Sequence, residues 1–519
     1  YAYDENLIAI DSNLVPADAT LVLEMIEYNT TEPGVEVVKL WEIGRFITPY
    51  GNNLSLGNDG WTWVYVVTDI KHILTGDSVS LRAGNFQELL DMKFYFVEGT
   101  PPRDVLEIKN LYSKNPSLSN FDNVIIDTAV DILPEAKMFS LKTTVTGHGF
   151  GEGADCGEFC SNIHSIEVNG SEEYSWEILQ ECGENALFPQ GGTWFYDRAG
   201  WCLGMPGKEQ NHDLTPFVNV GVDTQVVVDY NIEEDPYGNY VTEIHFVSYD
   251  EPNFEIDASI EEIIAPNKFK ENGRYNPICG NPIIRIKNTG SQTLTSLNIT
   301  YGIEGETEYT YEWLGSLEFL EEEIFDLPTV DRDEFFDASN KRFTVSISNA
   351  NGSGDQYEHN NINVSNFDVV DSYNQQLVIE FKTNSRYWEN SYEVRDMNGT
   401  VVYYRTEFEA NTVHHDTLDL DPGCYKFIAY DTGGDGMNDW PSGHGNGYIK
   451  LKTVNGDLVA NLQRWFGEFI SHEFVNTAYP VNIEEKEKLS FNIYPNPSDG
   501  LFNIELFTNP GDYLIRIYS

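Results

Sequence analysis

The chain has 519 residues, enough for about three or four domains of roughly 100–200 residues each. Its 84 acidic residues against 31 basic ones give a formal net charge of −53. Such a surface repels nucleic acid and anionic membranes, because phosphate binding needs clustered Lys and Arg; it reads as an adaptation for solubility and salt, with cation binding as the other use of so much acid.

Nearly every predicted element is a strand. Residues 21–26 and 35–43 flank Asn29-Thr30-Thr31-Glu32-Pro33-Gly34, a hairpin with a long turn. Residues 63–67, 92–97 and 139–145 continue the pattern, and short strands with a turn signal every 8–12 residues or so predict an all-β chain of sandwiches or barrels. Helical periodicity is scarce: 317–325 is one weak candidate, and 484–488 reads as a charged linker. Composition breaks near Gly99-Thr100-Pro101-Pro102 and near Asp250-Glu251-Pro252 divide the first half into units 1–100 and 101–252. Residues 253–361 read as an immunoglobulin-like module, 362–480 as a further β-sandwich, and 489–519 as a separate tail.

The chain opens on Tyr1 with neither a Met nor a signal peptide, and closes on Ser519 inside the strand-like stretch 513–518. The expectation is a fragment of a longer protein at both ends. It has no apolar run of the ~18 residues a membrane helix needs. The six cysteines include no CxxC pair with a matching partner, which argues against structural zinc and for the disulfides of an exported protein. Cys279 and Cys424 lie far apart and are assigned no pairing.

Two stretches carry chemistry. Asp155-Cys156-Gly157-Glu158-Phe159-Cys160 holds a carboxylate between cysteines four positions apart, and Asp197-Arg198-Ala199-Gly200-Trp201-Cys202 sets an arginine and a tryptophan before another cysteine. A carboxylate, a guanidinium and an aromatic plate held by crosslinks suit a polar sugar or amide. These stretches, with Glu42-Ile43-Gly44-Arg45-Phe46-Ile47-Thr48-Pro49-Tyr50, Thr146-Gly147-His148-Gly149-Phe150, His164-Ser165-Ile166-Glu167-Val168-Asn169 and Thr193-Trp194-Phe195-Tyr196, follow one another in the order found in the peptide-N-glycosidase F family. Residues 1–250, about half the chain, resemble those bacterial amidases.

The resemblance implies two eight-stranded jelly rolls side by side, with the cleft at their seam. It implies hydrolysis of the amide joining Asn to N-acetylglucosamine in N-linked glycoproteins or glycopeptides, leaving Asp and releasing the glycan, with no cofactor or metal in that half. Glu158 and Arg198 correspond to catalytic-site residues of the family, and Trp201 and His148 to substrate-binding positions. Cys156–Cys160 and Cys182–Cys202 correspond to family disulfides. The family's principal catalytic Asp stands in a motif absent here; Asp4 and Asp18 are the nearest candidates, and no acid stands at Ala83-Gly84-Asn85, where a family glutamate aligns. A catalytically inactive glycan-binding or adhesion protein on the same scaffold is therefore the alternative.

Copper hydroxylases share the twin jelly rolls, but His72, His148, His164, His212 and His245 are scattered singly, whereas copper needs clustered imidazoles. In the loop 431–439, Asp431, Asp435 and Asp439 could hold Ca²⁺, although a solvated Gly/Asp turn suits the composition better. The tail Tyr494-Pro495-Asn496-Pro497-Ser498-Asp499-Gly500 resembles the start of the type IX secretion sorting domain. That implies export by the type IX machinery, to the cell surface or exterior of a Gram-negative bacterium.

Overall fold

The computed structural model describes residues 2–3, 9–11, 21–28, 36–49, 56–57, 60–75, 79–84, 90–151, 155–187, 190, 193–233, 237–330, 340–373, 376–437, 443–477, 490–494 and 503–507. It is all-β. The first region contributes β1 (Leu21–Tyr28), β2 (Glu36–Gly44) and β3 (Ser80–Arg82), paired in the order β2-β1-β3. The second contributes β4 (Arg103–Lys114), β5 (Thr128–Asp131), β6 (Met138–His148), β7 (Ile163–Val168), β8 (Ser171–Glu177), β9 (Glu209–Asp213), β10 (Gln225–Ile232) and β11 (Asn239–Pro252). These eight form two antiparallel four-stranded sheets, β8-β7-β10-β5 and β9-β6-β11-β4.

The sandwich closes over Phe121, Phe139, Leu141, Ile166, Val226, Tyr230, Ile244 and Phe246, all nearly inaccessible to solvent. Strand β11 does not show the alternation of a half-exposed strand, since almost every residue from Tyr240 to Tyr249 is buried. The cause is burial on both faces. Ile244 and Phe246 point into the sandwich, while Val247 and Tyr249 pack outward with Ile108 against Trp41, Ile43, Ile70 and Ile73 of the first region. That second core is the seam between the two regions.

Beyond Pro252, strands Ala258–Ala265, Ile283–Asn288 and Glu322–Asp326 form one sheet, and Leu294–Ile303, Tyr309–Leu317, Arg342–Ser348 and Ile362–Asn366 another. The following sandwich packs a five-stranded sheet on a four-stranded one, from Asp371–Tyr373 to Phe469–Asn476. Arg274 fastens the modules together: its guanidinium donates to the carbonyls of Gly183 and Asn185 at 2.6 and 3.4 Å, and of Phe466 and Phe469 at 3.1 Å each.

Some sequence expectations fail. Residues 63–67 and 92–97 have no ladder partner among the described residues. The first stretch keeps an alternating burial, but Trp63 is fixed by its indole N–H on the Gly204 carbonyl (2.8 Å) and by stacking on Phe46 at 4.5 Å. The helix expected at 317–325 is a strand end, a crossing between sheets and the start of another strand; Leu320 takes a left-handed φ of 68°, and Glu322 pairs with Lys287 at 2.9 Å. Cys279 and Cys424 are joined, with Cα atoms 5.9 Å apart across 145 residues. The linker at 484–488 and the Pro-rich tail motif lie outside the described residues.

Candidate functional site

The site is built at the end of β6. Two loops must cross there, and glycine makes room. A Cβ on Gly147 would lie 1.8 Å from the Gly157 carbonyl oxygen, and one on Gly200, at φ 75°, would lie 2.1 Å from that of Val145. With those positions open, Glu158 N donates to Gly149 O at 3.2 Å and Ala199 N to Glu158 O at 2.9 Å, so the Glu158 and Arg198 loops are stitched to each other. Cys182 and Cys202 are joined, with Cα atoms 5.4 Å apart. Cys160 is disulfide-bonded, while the side chain of Cys156 lies outside the described residues.

Arg198 and Glu158 meet, Nε to Oε1 at 3.1 Å. Their surroundings differ. The Arg198 side chain is 1% exposed and that of Glu158 is 15% exposed. The remaining four guanidinium N–H groups are also taken: Nη1 donates to the carbonyls of Trp194 (3.3 Å) and Tyr196 (2.7 Å), and Nη2 to the carbonyl (2.8 Å) and hydroxyl (3.0 Å) of Thr193. Arg198 thus has five acceptors for five donors. It is a positioning residue that pins the 193–198 loop and aims Glu158, and it has no N–H left for a substrate oxygen.

Trp201 lies behind the pair. It is 5% exposed, donates its indole N–H to the Gly147 carbonyl at 2.7 Å, and has the Arg198 guanidinium 5.1 Å from its ring. Burial gives it to the framework, with no face open to a sugar. His148 stacks on Trp201 at 5.4 Å and holds Thr146 Oγ1 at 2.9 Å through Nε2. Burial, and then the charge of Arg45, hold its imidazole down to about 4, so it is neutral near pH 7.

The line continues into the seam. Arg45 donates through Nη1 to Thr146 Oγ1 at 2.7 Å and to Val241 O at 2.8 Å, and clasps both oxygens of Glu42 at 2.7 and 2.8 Å. Burial raises the Glu42 carboxyl, and Arg45 opposes that rise. Close by, Glu243 Oε1 is held by His245 Nε2 at 2.7 Å and by Asn110 at 2.9 Å. A continuous polar and aromatic path, Glu42–Arg45–Thr146–His148–Trp201–Arg198–Glu158, therefore runs from the first region to the partly exposed carboxylate. The sequence pointed to the Glu42–Arg45 stretch as a motif but gave these side chains no role.

What surrounds Glu158 was not foreseen either. Phe150, 72% exposed, meets Phe159 edge-to-face at 5.6 Å; Phe159 meets Tyr196 at 6.4 Å, and the Arg198 guanidinium lies 4.7 Å from the Phe159 ring. The three rings, set edge to face, line the two loops as an aromatic shelf. The available signal was the aromatic in each loop next to the charged residue. Such a shelf can pack on the C–H face of a sugar while Glu158 accepts hydrogen bonds from hydroxyl or amide groups.

Other candidates fall elsewhere. Asp4 and Asp18 lie outside the described residues, as does Asp439. Among the described residues, His148, His164, His212 and His245 form no common cluster: His164 binds the Tyr230 hydroxyl, and His212 packs between Tyr174 and Trp176. Asp431 and Asp435 do come together, with Glu389 in place of the expected third aspartate.

Comparison with known proteins bears on the same half. Residues 119–249 match the family described as Peptide-N-glycosidase F, C terminal. The chain is 29% identical over 185 residues to the peptide-N(4)-(N-acetyl-beta-D-glucosaminyl)asparagine amidase F of Elizabethkingia miricola, a stretch covering 32% of this chain and 51% of that protein. It thus spans about half the length of the curated relative it matches. Among solved structures, the glycosylasparaginase PNGase F of Flavobacterium meningosepticum is similar at 20% identity, 45% of this chain, 80% of that chain and a TM-score of 0.35. PNGF-II is similar at 14% identity, 46% of this chain, 56% of that chain and a TM-score of 0.31.

Proposed function

We propose that the chain is an amidase of the peptide-N-glycosidase F type, hydrolysing the bond between Asn and N-acetylglucosamine in N-glycoproteins. The observation that carries this reading is the Glu158–Arg198 pair, held beside an aromatic shelf within the stretch that matches the family. An amide is a poor electrophile, so cleavage needs an activated water and a polarised carbonyl. In this reading the shelf of Phe150, Phe159 and Tyr196 seats the core sugar, and Glu158, aimed by Arg198, orients the sugar or the water. Water adds to the side-chain carbonyl carbon, the C–N bond breaks, and the nitrogen leaves with the sugar as a glycosylamine while the peptide keeps an Asp. A second carboxylate, at Asp4 or Asp18 in this proposal, takes the proton from the water and passes it to the nitrogen as the C–N bond breaks. The disulfides and the tail motif support export through type IX secretion to the surface or exterior of a Gram-negative cell.

The test is incubation of the full chain with a denatured N-glycoprotein, reading peptide mass for conversion of Asn to Asp. Glycan release with that conversion supports the enzyme. Binding on a glycan panel without conversion supports the second reading, a glycan-binding protein, which the saturated guanidinium of Arg198 favours because it leaves Glu158 as the accessible charge of the pair.

A further inference from the structure

The strand Gly423–Asp431 runs into the loop Asp431-Thr432-Gly433-Gly434-Asp435-Gly436-Met437, which folds back over the short turn Tyr387–Glu389. Thr432 N donates to Glu389 O at 3.0 Å and Gly433 N to Asp431 Oδ1 at 2.7 Å. The fold-back brings one carboxylate oxygen each from Glu389, Asp431 and Asp435 within 4.8 Å of one another. Asp431 is 1% exposed, and its Oδ2 has no hydrogen-bond partner. A carboxylate oxygen that dry, on a side chain grouped with two more carboxylates, is an arrangement proteins avoid unless a cation completes it.

The space between the groups is kept open. A Cβ at position 433 would lie 2.9 Å from Glu389 Oε2 and 3.1 Å from Asp431 Oδ1, so glycine leaves a gap where any other side chain would crowd the oxygens. The nearby cation is Arg386, whose Nη1 stands 3.7 Å from Glu389 Oε1 and 3.7 Å from Asp435 Oδ2. One guanidinium against three carboxylates leaves a surplus of negative charge.

We propose that Glu389, Asp431 and Asp435 ligate a hard divalent cation of the Ca²⁺ class. All the donors are oxygens on an irregular loop, which suits Ca²⁺ with its variable coordination better than a metal that prefers nitrogen or sulfur. The site has a mechanical consequence. Met437 N donates to Arg464 O and Asp431 N to Glu468 O, each at 2.7 Å, so the acidic loop is laced to the segment 464–468. That segment carries Gly467, which abuts Gly183, and Trp465, which packs against the cluster of Trp194, Phe195, Trp201 and Leu203 under the candidate site. The cation thus fixes the surface with which the C-terminal sandwich meets the glycan-site half. The proposal stands whether or not the amidase reading holds.

The test uses the full chain, stripped with EDTA and exchanged into chelator-free buffer. Calorimetric titration with CaCl2 is expected to show a binding site that Asp431→Asn and Glu389→Gln each remove, and Tb³⁺ luminescence a signal that Ca²⁺ displaces. Millimolar CaCl2 is expected to raise Tm by roughly 5 °C or more in the wild type, and not in either variant. Without metal, Asp431→Asn is expected to melt no lower than the wild type, because it keeps the shape and relieves the crowding of three carboxyl groups; that control separates ligand loss from misfolding, and Glu389→Gln repeats it at a less buried position. Equal Ca²⁺ stoichiometry and equal Tm rise in wild type and both variants overturns the proposal. So does a wild-type Tm that 10 mM CaCl2 leaves unmoved (about 100-fold above a Kd of 0.1 mM), or one that NaCl at matched ionic strength raises as much.

Discussion

Replacing Arg198 by alanine tests whether that residue positions Glu158 and the loop around it. The substitution removes one ion pair and four further hydrogen bonds in a place where the side chain is 1% exposed. Glu158 retains some water, being 15% exposed, so its lost pairing costs less than the 3–5 kcal/mol or so of a fully buried pair. The carbonyls of Thr193, Trp194 and Tyr196 are a different matter: each loses a charged donor, at about 1–3 kcal/mol apiece if left unsatisfied. Allowing water to reach some of them, the sum is on the order of 4 kcal/mol, a large share of the 5–15 kcal/mol or so that holds a domain together. For a domain of this size that lowers Tm by roughly 8–16 °C. Differential scanning calorimetry measures it, and hydrogen exchange is expected to localise the loosening to residues 193–198. An Arg198→Ala protein that melts within about 2 °C of the wild type would refute the positioning role.

Glu158→Gln is expected to cut turnover about 100-fold or more while moving Tm by no more than a few degrees; unchanged turnover in a mass-spectrometric deglycosylation assay removes Glu158 from the chemistry. Phe159→Ala is expected to weaken glycan binding roughly 5- to 10-fold, about 1 kcal/mol of lost ring contact, with kcat changed less than KM; an unaltered KM for both Phe159→Ala and Phe150→Ala excludes the shelf as the sugar seat. Stability is expected to fall as pH drops from about 6.5 toward 4. Burial lowers the imidazoles of His148 and His212 to about 4 and of His164 to about 3, so the unfolded chain binds more protons across that window. His164→Asn should flatten the Tm-versus-pH curve there, and an unchanged slope contradicts the assignment.

The sequence showed the all-β character because alternation and turn residues are local properties. It showed the Glu158 and Arg198 loops because their cysteines and glycines are dense. What it could not show was a matter of supply and demand among hydrogen bonds. Arg198 looks like a ligand-binding arginine until the carbonyls of Thr193, Trp194 and Tyr196 converge on it, and that convergence depends on loop geometry rather than spacing. Trp63 looks like a strand residue because its neighbours alternate, yet the partner it found is the Gly204 carbonyl rather than a ladder. Glu389 was passed over as a cation ligand because it stands 42 positions before Asp431 and joins it only through a fold-back of the chain. The Cys279–Cys424 bond spans two modules, a pairing no count of cysteines can fix.

Arg274 has a consequence for anyone wishing to work with the half that holds the Glu158–Arg198 pair by itself. Cutting the chain after Pro252 would remove the guanidinium that satisfies the carbonyls of Gly183 and Asn185 and would strip Trp465 from the cluster of Trp194, Phe195, Trp201 and Leu203. The excised head would display a wet, uncapped flank that the intact molecule keeps covered. Compounds selected on it would owe their affinity to a face that the intact molecule never shows.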